Sequence, residues 1–89
     1  MSESFEIIWS RIVENQGNIF KTITNKEFTY KTENDTFQPL RPKKAPILKK
    51  SMVEEAYKLW PVDGPAFFPK QILAPSYLWG VFNDKRIIH

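Results

Sequence analysis

The apolar positions change period twice along the chain. Phe5, Ile8, Trp9 and Ile12 fall at i, i+3, i+4 and i+7, which places them on one helical face, and Val13 extends it. Ser2 or Ser4 is expected to cap this helix, with Glu3 and Glu6 at the positive end of its dipole. Gly17 supplies a left-handed stop. From Ile19 the period becomes two. Ile19–Ile23 and Phe28–Thr32 read as strands, rich in β-branched and aromatic residues. A two-residue loop at Asn25-Lys26 predicts Ile23 opposite Phe28 and Lys21 opposite Tyr30. Ile19, Ile23, Phe28 and Tyr30 then face the first helix. Glu33-Asn34-Asp35 forms a second turn, and Thr36-Phe37-Gln38 returns as a short edge strand limited by Pro39.

Residues 39–50 show neither period, and three prolines make them an extended linker. Ser51-Met52-Val53-Glu54 has the form of a capping box, opening a helix that stops at Pro61. Its apolar stripe is Val53, Ala56, Tyr57 and Trp60. A loop of high aromatic content follows, then a short helical turn at Lys70–Ala74. Pro75 opens a last helix to about Asn83, with Tyr77, Leu78, Val81 and Phe82 inward and Trp79 pointing elsewhere. The expected fold is one α+β domain over residues 1–89. Its order is N-terminal helix, three-stranded antiparallel meander, Pro/Lys-rich linker and two C-terminal helices. The stretch from Pro61 to Ala74 is too long for the 3–4-residue turn of a helix-turn-helix.

Composition narrows the chemistry. Eighty-nine residues sit just below the usual single-domain length, and 42% hydrophobic with 26% charged residues is a globular balance. Aromatic residues reach 15%, which suits a small core that must gain much apolar area from few residues. Without cysteine there is no disulfide, thiolate zinc site or thiol nucleophile. His89 is the sole imidazole and the acids are scattered, so neither a catalytic set nor a metal site is expected; no cofactor is implied. No apolar run is long enough for a spanning helix, and a cytoplasmic protein is expected.

Charge is where the sequence speaks most. Residues 1–40 carry a net −2 and residues 51–89 a net zero, whereas residues 41–50 hold Arg41, Lys43, Lys44, Lys49 and Lys50 with no acid. Five cations within ten residues suit an anionic partner, and phosphates of a nucleic acid are the leading expectation. The same lysines equally serve to solvate a proline-rich connector. Pro39-Leu40-Arg41-Pro42-Lys43-Lys44 also has a P-x-x-P-x-basic form, but a segment folded into a domain is rarely available as a peptide ligand.

The meander adds a second expectation. In the register above, Phe20 and Phe37 flank Lys31 on the face away from Ile23, an arrangement able to stack unpaired bases. The competing and stronger reading makes both rings core beneath the C-terminal helices. The alternative function is a protein-binding inhibitor or adaptor, anchored by Trp79, Phe67 and Phe68.

Pro75-Ser76-Tyr77-Leu78-Trp79, followed by Asp84-Lys85-Arg86-Ile87, resembles the ending of a family of small uncharacterised bacterial or phage-type proteins. Gly17-x-x-Phe20-x-Thr22 and Phe28-Thr29-Tyr30 are similar to its upstream part. The resemblance spans about half the chain and implies a single bacterial or phage-type domain, without an activity.

Overall fold

The computed structural model describes residues 3–40 and 46–88. Ser2, Arg41, Lys43, Lys44 and His89 lie outside the described residues. The order is α1 (Phe5–Glu14), β1 (Phe20–Lys21), β2 (Glu27–Phe28), β3 (Tyr30–Glu33), β4 (Thr36–Pro39), β5 (Leu48–Lys49), α2 (Lys50–Leu59) and α3 (Pro75–Phe82). A single 3₁₀ turn, Pro65–Phe67, lies between α2 and α3. The fold is mixed α+β, with antiparallel strands between helices as the hydrophobic periods predict.

α1 buries Phe5, Ile8, Trp9 and Ile12, the four residues of its predicted stripe; Val13 stays on the exposed rim. Ser4 stands at the N-cap, but its side chain caps nothing. Gly17 takes φ +85°, a left-handed conformation that costs glycine no clash, and donates its N–H to the Tyr30 carbonyl at 3.0 Å. The Tyr30 hydroxyl donates in turn to the Ile12 carbonyl at 2.6 Å, locking α1 onto β3.

The strands depart from the expected register. β1 pairs with β2 through Phe20↔Phe28 and Lys21↔Glu27, and the Thr22 N–H donates to the Lys26 carbonyl at 3.0 Å. The loop is therefore Ile23-Thr24-Asn25, with Asn25 at φ 64°, in place of the two-residue turn. Against the expected Ile23↔Phe28 pairing the strand slips by an odd number of residues, which exchanges its two faces. Phe20 turns inward, while Ile19 and Ile23 are exposed. Burial decides the register, because a phenylalanine ring gains more apolar area inside than either isoleucine.

A second sheet holds β3-β4-β5, with β4 central. Asn34 and Asp35 both have positive φ, so the β3–β4 turn is of the two-residue primed type. β4 is thus not the edge strand; β5, drawn from within the expected linker, takes that place through Phe37↔Leu48 and Thr36↔Lys49. Pro39 lies past the β5 pairing, where its missing donor costs nothing. The expected linker 39–50 therefore holds the end of β4, the connection between two neighbouring strands, β5 and the first residue of the next helix. Leu40 donates to the carbonyl of Thr29, between β2 and β3, and Lys50 to that of Asp35 in the β3–β4 turn, each at 2.9 Å, which ties down both ends.

β5 runs directly into α2, which starts at Lys50 with Lys49 as N-cap and no side-chain cap. Ser51 is already helical, so the expected capping box does not form. The Asp35 carbonyl of the β3–β4 turn accepts the first helical N–H, that of Lys50. Lys70–Ala74 form no helix, and Ile72 closes only a turn onto the Pro69 carbonyl at 3.0 Å. α3 buries Leu78, Gly80, Val81 and Phe82 against β1 and α2. Rings link the layers in two files. Phe37, Tyr30, Phe20, Phe28 and Tyr77 follow one another at centroid distances from 4.7 to 6.0 Å. Phe5, Tyr57, Phe82, Trp60 and Trp79 form the other, at 5.6 to 6.1 Å.

Candidate nucleic-acid interface

Alternation along β5 points Leu48 into the core and leaves Lys49 exposed on the edge strand. Lys50, one residue on, is committed elsewhere. Its ammonium lies 3.1 Å from Glu6 Oε1 and 5.7 Å from the centre of the Trp9 ring, so it joins the start of α2 to α1. Of the two described members of the basic cluster, Lys49 alone is open to an anion. Arg41, Lys43 and Lys44 belong to the connection whose ends are described above.

The expected stacking platform is not assembled. Phe20 is 1% exposed and Phe37 fully buried, so neither presents a ring face to a base. Lys31 faces outward, pairs with Gln38 across β4 and lies 3.2 Å from Glu33. The slip of β1 sends Phe20 inward with Phe28, and the β3–β4 register sets Phe37 opposite Thr32 on the core side. The core reading of these rings is the correct one.

The alternative protein-binding anchors also separate. Phe68 is buried. Trp79 is half-buried, donates its indole N–H to the Val62 carbonyl at 3.1 Å and meets Trp60 edge to face. Phe67, at 66% exposure, is the most exposed of the large hydrophobic side chains described.

A cleft of about 330 Å³, which no motif or spacing in the sequence marks, lies between β1 and the end of α3. Ile19, Ile23 and Trp79 supply apolar wall, and Lys21, Asn25 and Arg86 supply polar groups. Arg86 is held on three sides. Its guanidinium carbon lies 4.1 Å from the centre of the Phe20 ring. Nε and Nη2 donate to Asp84 Oδ1 and Oδ2, each at 2.9 Å, and Nη2 donates to the Ile19 carbonyl at 2.7 Å. The hydrogen bond from Arg86 holds the Asp84 carboxyl below its ordinary pKa, and the same bond raises that of the guanidinium. The sequence signal for this pair was the two-residue spacing of Asp84 and Arg86, which also lets the Arg86 N–H reach Asp84 Oδ1 at 2.8 Å.

Among the described residues no group of His, Asp or Glu could hold a metal ion, and no helix is long and apolar enough to cross a membrane. Comparison of the chain with family models, curated proteins and solved structures finds no match.

Proposed function

We propose that this chain is a non-enzymatic nucleic-acid-binding accessory protein. Its basic segment, Arg41, Lys43, Lys44 and Lys49, contacts phosphates of the strand. The observation that carries this reading is the concentration of five cations and no acid in residues 41–50, while the rest of the chain is slightly acidic. Two structural facts support it. Lys49 is exposed at the sheet edge, and both ends of the segment are fixed by backbone hydrogen bonds. A tethered cationic segment loses less freedom on binding than a free tail does, so more of each charge–phosphate interaction is realised as affinity. Lys50 belongs to the cluster by sequence, but its bond to Glu6 makes it a weaker contributor.

The test is a gel shift with single- and double-stranded DNA and RNA across a salt series. Phosphate binding predicts a logarithmic affinity that falls linearly with log salt, by about 0.7–0.9 per contact. Absence of binding at low salt defeats the proposal and favours a protein partner anchored by Phe67, the exposed ring of the loop after α2.

A further inference from the structure

The cleft beside Arg86 has no role in the phosphate contacts above, yet it is the more fully built of the two features. We infer that it receives one unstacked nucleobase of a bound single strand, laid against the guanidinium of Arg86. The inference deepens the nucleic-acid reading and rests on it.

The Arg86 guanidinium carbon lies over the Phe20 ring, 4.1 Å from its centre, while Asp84 and the Ile19 carbonyl hold Nε and Nη2. Even so, 42% of the side chain remains exposed, and it lines the cleft. A planar group held along one edge, with part of its surface open to the cleft, offers that surface and its remaining nitrogen, Nη1. Stacking on a guanidinium plane is an established way to bind an unpaired base, because the base meets a flat, weakly hydrated cation. Here the plane is already immobilised, so the arginine has little side-chain freedom left to lose on binding. Asp84 neutralises much of the charge, which favours a planar partner over a bare phosphate at this point. Ile19, Ile23 and the half-buried Trp79 supply apolar wall for a base. Asn25 has an amide able to bond a base edge, and Lys21 stands at the same cleft for the adjoining phosphate. About 330 Å³ is ample for one base and too small for a duplex.

The experiment compares oligothymidylate with an abasic strand of equal length, which keeps the phosphates and lacks the bases. Binding is followed by fluorescence anisotropy at several salt concentrations. The expected result is at least about five-fold tighter binding of the base-bearing strand, the lower end of what one stacked base contributes. Arg86→Lys keeps the charge but loses the plane, and should bring the two affinities together. Ile23→Ser, at an exposed wall position, should narrow the gap with an unchanged thermal melt, which keeps the test valid if Arg86→Lys folds poorly. Equal affinity of the parent protein for both strands overturns the cleft assignment while leaving the basic segment intact. No binding of either strand overturns both readings. Saturable binding of free thymidine without any advantage of the base-bearing strand assigns the cleft to a free nucleoside and overturns docking of a strand.

Discussion

A β-carbon placed on Gly80 would stand 2.5 Å from the carbonyl oxygen of Lys21 and 3.0 Å from the Phe28 ring. The backbone of α3 therefore lies directly on β1, the strand that floors the cleft. Gly80→Ala should destabilise the fold by about 1–3 kcal/mol, because the blocking atom is backbone and cannot rotate away. Helix propensity alone predicts the reverse, a gain of about 1 kcal/mol. A urea melt decides between them, and a stabilised variant would refute the close approach.

Tyr30 closes the C-terminal end of α1. Gln16 donates its N–H to the Val13 carbonyl at 3.3 Å, and the Ile12 carbonyl receives the Tyr30 hydroxyl at 2.6 Å. Tyr30→Phe leaves that buried acceptor short of a partner and should cost about 1–3 kcal/mol. Burial also raises the pKa of Tyr30 well above that of a free tyrosine. The neutral form is thus favoured in the folded state, and its contribution is complete below the unfolded pKa of about 10 and declines above it. Loss of stability at alkaline pH should be shallower in Tyr30→Phe than in the parent, as read from melting temperature against pH.

Phe20→Ala and Phe67→Ala should differ sharply. Phe20 is buried against Phe28, Tyr30 and the guanidinium of Arg86, so its truncation should cost about 3–5 kcal/mol. Phe67 lies mostly in solvent, and its loss should stay within about 0.5 kcal/mol. Comparable denaturation midpoints for the two variants would contradict the observed β1 register.

Asp84 predicts the acid side of the stability profile. Its pKa is lowered in the folded state by the hydrogen bond from Arg86. The stability it contributes is present above the unfolded carboxyl value of about 4 and is lost as pH falls through the lower folded value. Asp84→Asn should remove that part of the acid dependence. Its melting temperature should approach the parent's as pH falls from about 5 toward 2, and a constant difference over that window would contradict the pairing.

The lysines separate by position. Lys43, Lys44 and Lys49 changed together to Gln should flatten the salt slope of nucleic-acid binding by about 0.7–0.9 for each contact removed, with the melt nearly unchanged. Lys50→Gln should affect binding less. Lys26, Lys58 and Lys70, which lie outside the cluster, should have little effect on the slope when replaced. If the triple variant binds as the parent does, the basic segment is only a solvated connector.

Sequence alone determined the helices and the class of fold. The face of α1, the stop at Gly17 and the proline-led start of α3 depend on local period, capping and backbone freedom, all properties of neighbours in the chain. The basic cluster was legible for the same reason, since charge density is a local count. Tertiary structure decided which side of β1 faces inward. A period-two strand reads equally well with either face buried, and the Ile23-Thr24-Asn25 loop together with the burial of Phe20 made the choice. It also drew Leu48–Lys49 out of a proline-rich segment into a strand, because Phe37 and Thr36 offered an unpaired edge. The cleft was the least legible. Arg86 meets the Ile19 carbonyl and the Phe20 ring across most of the chain's length, and no spacing rule brings those residues together. Only the packing of α3 on β1 does so, through the absent side chain of Gly80.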